Sequence, residues 1–451
     1  MRLSSLILPE LEAALLQDPA QAAELADELR PADLAELIQE LGNDPAGRML
    51  AALPVESAAA ALDLMDKGRR ADLVTALDRS LAARVVAAMS ADERADLFRN
   101  FEDELRADLF ARMPRATSAD VRDLIQYEES SAGGRMTTDY VALTPDLTVE
   151  RAIDEVRRTA EEKETIYEAY AVDPNGTLLG AVSLRDLVLA RAGQTISAIM
   201  DPEVVSVPPE MDQEDVARVF DHYGLLAVPV VDAATRKLLG IVTVDDVVSF
   251  LKQEQGEDIQ KLGAVQPTEE PYFQTEFWTF VRKRAGWLIA IFLGEILTAT
   301  VLEHYEGIRR TFAAIEVFVP LIISSGGNTG SQASSLVIRG LALGEFGIGD
   351  AMRILWREIR MGLVLGLILG TIGFLRARLV GHSGQGGMSF AVGLSLIACV
   401  TFGSTAGAGL PLLIRRLGFD PAVSSGPFIA SMVDVIGIII YLQIAILILG
   451  H

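Results

Sequence analysis

An aspartate stands where hydrocarbon is expected. Gly426–Leu449 reads GPFIASMVDVIGIIIYLQIAILIL, and Asp434 is the one charge in the 28 residues from Ala422 to Leu449. A carboxylate in mid-bilayer costs roughly 3 kcal/mol or more, so it faces a partner, a wet cavity or an ion. No basic residue lies one turn away; those neighbours are Ala430, Ser431, Gly437 and Ile438. Three readings follow: a cation ligand in a water-filled path, a carboxyl hydrogen-bonded between helices, or a protonated relay. The room left by Ala430 and Gly437 favours the first.

A second stretch supports that choice. PLIISSGGNTGSQASS (Pro320–Ser335) sets Pro320, Gly326, Gly327, Gly330, Asn328, Ser331 and Gln332 inside an apolar segment. Proline and glycines predict a broken helix, and irregular backbone is tolerated at that depth where it is buried or lines a cavity. Freed carbonyl and amide oxygens are hard ligands suited to Mg²⁺ or Ca²⁺. The alternative is a seam of small residues packing helices together. GGNTG is no phosphate loop, because no Gly-Lys-Ser/Thr follows it.

A third stretch, SFLKQEQGEDIQKLGAV, spaces Glu254, Glu257 and Asp258 at i, i+3 and i+4 on one helix face, with Asp245 and Asp246 upstream. Three like charges there repel one another unless a cation sits between them; an ordinary solvated face is the other reading.

Enzymatic chemistry finds little support. The four histidines (His222, His304, His382, His451) are scattered and form no HExxH, and an aspartyl protease needs a second aspartate in the spans. The lone Cys399 allows no intrachain disulfide and none of the cysteine-rich metal sites. Of the formal charge of −23, residues 1–280 contribute 26 basic and 53 acidic side chains, whereas the remainder is weakly basic. Such a polyanion suits cations and argues against nucleic acid.

Three kinds of element must position these residues. Over residues 1–127 an apolar residue followed by a turn or cap signal recurs every 12 positions: Leu29, Leu41, Leu53, Met65, Leu77, Met89, Phe101 and Met113. That period predicts a superhelical stack of short helices, most of its acids solvated. A second repeat follows, in which LLGAVSLRDLV (Leu178–Val188) is echoed by LLGIVTVDDVV (Leu238–Val248). Each half reads as strand, helix, strand, turn, strand, helix. This repeat resembles a tandem pair of CBS domains, which implies a regulatory module that binds adenine nucleotides.

From Arg282 five apolar stretches follow, at 285–302, 311–338, 361–375, 387–414 and 422–449; the third must borrow from Ile354–Arg360. With residue 281 inside, the inner flanks carry nine basic residues, and the outer flanks carry Arg309, Arg310, Arg376 and Arg378. The N-terminus is therefore expected in the cytoplasm and the C-terminus outside, in a multi-pass cell-membrane protein. MRLSSLILPELEAAL shows no signal-peptide pattern, in keeping with that topology.

LIQYEESSAGGRMTTDYVAL, GEDIQKLGAV, VPLIISSGGNTGSQASSLVIRGLALGE and DPAVSSGPFIASMVDVIGIIIYL together resemble the MgtE family of magnesium channels, and the whole layout matches that family. The expected fold is multidomain. It comprises an all-α superhelical N domain (1–127), an α/β tandem CBS pair (128–250), a connecting plug helix (251–280) and a five-helix transmembrane pore domain (281–451). The resemblance implies a homodimer in the lipid bilayer, passing Mg²⁺ along its two-fold axis. Cytoplasmic Mg²⁺ bridging acidic N, CBS and plug surfaces would hold that pore shut.

Carried over by position, Asp434 is the pore carboxylate, Ala430 lends a carbonyl, and Gly326, Gly327 and Asn328 lie along the pore wall. Glu257 and Asp258 are plug sensors with Glu254 and Asp246 beside them; Glu214, Asp92, Glu93 and Asp96 belong to the CBS–N interface. Tyr167, Tyr170, Arg185 and Asp186 mark an ATP-contacting region. Gly224 and Ser249 replace sensor carboxylates of that pattern, implying fewer or weaker regulatory ions. Glu295, a second membrane carboxylate, has two placements open, the pore and a helix interface. Glu303 and Glu306 would aid ion entry, or simply be solvated. The alternative function is a proton-coupled transporter of divalent cations using Asp434 or Glu295 as relay.

Overall fold

The computed structural model describes residues 29–449 apart from 161–162, 269–271, 274, 308–313, 380–385 and 424–425, with Leu15, Asp18, Ala23, Glu24 and Ala26 before them. The opening MRLSSLILPE, Arg309, Arg310, His382 and His451 lie outside the described residues. The described residues form two compact units, divided between Lys252 and Gln253.

In the first unit the 12-residue period is realised as a helix and a short connector. α1 (Pro31–Glu40), α2 (Asn43–Ala52), α3 (Val55–Asp63), α4 (Lys67–Ala76), α5 (Arg79–Ala88), α6 (Ala91–Asn100), α7 (Asp103–Arg112) and α8 (Arg115–Leu124) begin 12 residues apart. Most connectors start on an extended apolar residue: Leu41, Leu53, Leu77, Met89, Phe101 and Met113 each stop a helix and bury their side chains. Proline after Leu53 and Met113 enforces that extension, and Asp78 caps α5 by accepting from the Ser80 and Leu81 amides at 2.9 and 3.3 Å. Helices two apart pack together, giving the superhelical stack.

The CBS pair follows in the same unit. Its first half holds β1 (Val141–Leu143), α9 (Val149–Thr159), β2 (Glu168–Val172), β3 (Leu178–Ser183) and α10 (Leu184–Leu189), with β1 parallel and β3 antiparallel to β2. The second half holds α11 (Gln213–Tyr223), β4 (Ala227–Val231), β5 (Leu238–Thr243) and α12 (Val244–Leu262). Its expected opening strand is reduced to a parallel bridge between Val207 and Val230. Gly224 has a physical reason to be glycine: at φ 64° it closes α11 in the left-handed region, its N–H bonded to the Phe220 carbonyl. Ala91 and Ala95 of α6 are buried with Val216, Phe220, Val247 and Phe250, so the N domain and CBS pair share a core.

The second unit contains five long helices: α13 (Phe277–His304), α14 (Ala314–Ala342), α15 (Ala351–Leu379), α16 (Gly386–Arg416) and α17 (Gly426–Leu449). Among the described residues four are long and apolar enough to cross a membrane; α14 is the exception, diluted by its serine- and glycine-rich middle. α16 is central, packing on α14, α15 and α17, while α13 packs on α17. The break expected at Pro320 and the glycines does not occur. α14 is a continuous helix with Pro320 inside it, so its carbonyls are not freed by unwinding.

The glycines serve close packing instead. A methyl group at Gly403 would overlap the Gly326 carbonyl, and one at Gly407 the Gly330 carbonyl. Gly362, Gly366 and Gly370 of α15 meet Thr401, Ile397 and Gly393 of α16 in the same way. Backbone-to-backbone approach of this kind is how membrane helices gain dispersion energy without a hydrophobic drive.

Candidate functional site

Asp434 sits in the first half of α17, half-buried, and the Cα side of Gly327 on α14 faces it. A Cβ built on Gly327 would lie 3.5 Å from Asp434 Oδ1 and 3.4 Å from the Ala430 Cβ. Three of the expected pore residues, Gly327, Ala430 and Asp434, therefore come together. The other two do not join them. Gly326 turns towards Val433 and Cys399 in the helix core, and Asn328 is exposed, its amide donating to Ser324 Oγ at 3.3 Å. Among the described residues no basic side chain neutralises Asp434, and the charge acting on it is Glu295 of α13. The Ser431 hydroxyl, one turn before Asp434, donates to Glu295 Oε1 at 3.4 Å. Glu295 thus lies at a helix interface and beside Asp434 at once.

The acids of α12 meet a residue that pattern-reading missed. Lys261 Nζ lies 2.6 Å from both Glu257 Oε1 and Asp420 Oδ2, the latter on the loop between α16 and α17. Partial burial alone would lower the Lys261 pKa, but its hydrogen bonds to Asp420 and Glu257 outweigh that and raise it. Asp258 titrates above the usual carboxylate range because it is partly desolvated and repelled by Asp420.

In the first unit a separate set of carboxylates converges from the N domain and the CBS pair. Asp92 opens α6, where its own field favours a helix N-terminus, yet burial and Asp246 together push its pKa well up. Asp246, in the first turn of α12, is pushed to about 7 by burial, against an opposing hydrogen bond from Thr243 Oγ1 at 2.7 Å, with Asp245, Glu164 and Glu93 adding to the rise. Asp63 also reaches about 7, chiefly through burial, and among the described residues its Oδ1 has no hydrogen-bond partner. Glu164 rises to about 7 through burial, then through Asp92 and Asp245. Glu93 is held by buried Arg70.

These shifts give a signed expectation. An acid whose folded pKa is raised binds extra protons when folded, so stability falls as pH rises from about 4 to about 7, and the full penalty applies above that. Without divalent cations, the full-length protein in detergent should melt at lower temperature at pH 8 than at pH 6, followed by circular dichroism in EDTA. Asp92→Asn should raise the pH 8 melting temperature by a few °C, about 1–2 kcal/mol of relieved repulsion; a flat response would mean that the cluster carries no stored repulsion.

Other expected positions already have partners within the chain. Asp96 is buried among Lys67 at 2.8 Å, Arg99 and Arg135, so cations of the chain already occupy its oxygens and it is a structural ion-pair node. Glu214 pairs along its own helix with Arg218 at 3.4 Å. Tyr170 is fully buried, edge-on to Tyr140, and belongs to the CBS core. Tyr167, Arg185 and Asp186 do gather on the surface: the Leu184 amide donates to the Tyr167 carbonyl at 2.8 Å, and Ser183 caps α10 at the Asp186 amide. Among the described residues no three His, Cys, Asp or Glu side chains converge closely enough to cage a bare metal ion. Spaced carboxylates suit an ion that keeps most of its water, as Mg²⁺ does.

The family described as divalent cation transporter, MgtE, matches residues 319–444, the MgtE intracellular N domain matches 18–130, and CBS domains match 131–193 and 196–253. The magnesium transporter MgtE of Thermus thermophilus is 42% identical over 333 residues, 74% of this chain and 73% of that protein. That of Enterococcus faecalis is 34% identical over 73% of this chain and 71% of its own. Among solved structures, the soluble part of a magnesium transporter aligns with TM-score 0.51 and 31% identity over 55% of this chain and 99% of that one. The cytosolic domain of the Mg²⁺ channel MgtE in complex with ATP aligns with TM-score 0.50 and 36% identity, over 53% and 98%.

Proposed function

This chain belongs to the MgtE family of magnesium transporters, a membrane transporter of divalent cations and not an enzyme, and from that premise we propose that it is a passive Mg²⁺ channel shut by cytoplasmic Mg²⁺. The observation that carries the proposal is Asp434, a carboxylate in an apolar helix that faces Gly327 and Ala430 and, among the described residues, has no cation beside it. A hydrated divalent ion supplies the missing charge, and small neighbours leave room for its water. In a homodimer two such carboxylates match the charge of one Mg²⁺, whereas a monovalent ion gains half the attraction. All five long helices would span the cell membrane, α14 shielding its polar middle within the protein, with the N-terminus inside and the C-terminus outside.

Closure follows from the acids. The proposed organisation is an N domain over 1–127, CBS pair over 128–250, plug segment over 251–280 and pore domain beyond. At low Mg²⁺ the repulsion among Asp92, Asp246 and Glu164, and among Glu254, Glu257 and Asp258, opposes the closed arrangement; bound Mg²⁺ removes it and shifts the population. The exposed group Tyr167, Arg185 and Asp186 is the proposed nucleotide contact, and the ATP complex of a solved relative supports it. Gradient-driven Mg²⁺ entry into liposomes bearing the purified protein, with no pH gradient, tests the channel reading. Flux that starts only when a proton gradient is imposed would establish the coupled transporter, which the closeness of Glu295 to Asp434 favours.

Lys261 adds a smaller expectation. Because it ties α12 to Asp420 with no divalent ion, Lys261→Met should raise flux at micromolar cytoplasmic Mg²⁺ by roughly two- to fivefold, as loss of about 0.5–1 kcal/mol from the closed state implies. Unchanged flux would leave Lys261 as a surface pair without influence on the gate.

A further inference from the structure

We propose that Glu295 is a second acidic ligand for the transported cation, acting with Asp434 where α13 meets α17. This rests on the reading that Asp434 lies in the ion path, and it adds to that path a residue from α13. Gly294 lies against Ser431, with a built Cβ 3.5 Å from the serine Cβ, which lets α13 approach α17 closely. That approach brings Glu295 Oε1 within 3.4 Å of Ser431 Oγ and its charge within reach of Asp434, one turn further along α17. Glu295 is exposed on the chain and makes no ion pair among the described residues. Facing lipid alone, an ionised side chain at that depth is costly enough to be rare.

Thr298 points to the same place independently. It lies one turn beyond Glu295 and four residues beyond Gly294, on the face of α13 that packs against α17, and it is 8% exposed. Among the described residues its Oγ1 has no hydrogen-bond partner. Threonines in these helices ordinarily donate to the carbonyl four residues back, as Thr300, Thr329, Thr371, Thr401 and Thr405 do at 2.7–2.9 Å. A buried hydroxyl that forgoes that bond has both its O–H and its oxygen unpaired, free to donate to a carboxylate or accept from the water of an ion. Two carboxylates with the Ser431 and Thr298 hydroxyls make a hard, all-oxygen lining for a divalent cation that keeps its inner water and binds through it.

The test compares Glu295→Gln, Glu295→Asp and Asp434→Asn in proteoliposomes across external Mg²⁺ concentrations. Glu295→Gln should raise the half-saturating Mg²⁺ by about tenfold, and Glu295→Asp should restore most of it. A Glu295→Gln curve superposing on wild type would overturn the proposal. Loss of flux in Asp434→Asn beside an unaffected Glu295→Gln leaves the ion path at Asp434 standing and removes only Glu295. Retained flux in Asp434→Asn removes the path itself. A second readout needs no flux: Cys399 is the sole cysteine and is buried, so Glu295→Cys in a Cys399→Ser background can be labelled selectively. A charged, membrane-impermeant thiol reagent should react with it, more slowly when Mg²⁺ is present. Reaction confined to lipid-soluble reagents, or a rate indifferent to Mg²⁺, would make Glu295 an interface residue and overturn the proposal.

Discussion

Asp434→Ala is expected to abolish Mg²⁺ entry while leaving the protein folded and at least as thermostable as wild type. Both halves of that outcome come from one cause. The carboxylate is desolvated in α17 without a cation of the chain to balance it, so its removal relieves a cost to folding. The ion loses its counter-charge at the same step, and flux should fall by about a hundredfold or more, the consequence of at least ~3 kcal/mol at a low-dielectric site. Opposite changes in stability and activity mark a residue kept for function. The measurement pairs flux in liposomes with thermal melting by tryptophan fluorescence, because Trp278, Trp287 and Trp356 all lie in the second unit. Retained flux with a marked loss of stability would instead make Asp434 a structural hydrogen-bonding group.

Asp434 was legible in the sequence because a charge in 28 apolar residues needs no tertiary information to be noticed. The N domain was equally legible: a period of 12 fits one ten-residue helix and a connector, and each repeat carries its own stop signal. What escaped depends on contacts distant in sequence. Lys261 reads as an ordinary helix cation until the fold brings Asp420, 159 residues away, to 2.6 Å. Glu358 stands between Arg357 and Arg360 in a charged stretch of sequence, yet it is buried and accepts the Ser404 hydroxyl at 2.7 Å. Asp96 and Asp92 look alike in SADERADLF and share a face of α6, yet the one-turn step between them sets Asp96 in a nest of cations and Asp92 beside Asp246. Tyr167 and Tyr170 also look alike in sequence, but Tyr167 precedes β2 and is exposed, whereas Tyr170 lies inside the strand, whose middle three residues are all buried.

The second large effect concerns the stretch whose reading changed most. The glycines of α14 were expected to break a helix, and the structure uses them to let α14 and α16 touch along their backbones. Gly403→Val is therefore expected to prevent assembly of the membrane unit, because even a methyl group there overlaps the Gly326 carbonyl. Neither partner can yield: the obstructing atom is backbone in a continuous helix, and Gly326 is itself pinned, a built Cβ lying 2.9 Å from Val433 and 3.3 Å from the Cys399 carbonyl. Separating α14 from α16 would forfeit contacts along the whole seam, a loss beyond the ~1–3 kcal/mol of ordinary overpacking. Gly286→Ala is the matched control, because nothing lies within 4 Å of a side chain built there and alanine favours the helix by about 1 kcal/mol. Size-exclusion yield in detergent should collapse for Gly403→Val and hold for Gly286→Ala. Similar yields for both would mean that α14 and α16 are held apart in the folded protein, and the space around Asp434, which faces Gly327 on that same α14, would then be wider than the packed helices allow.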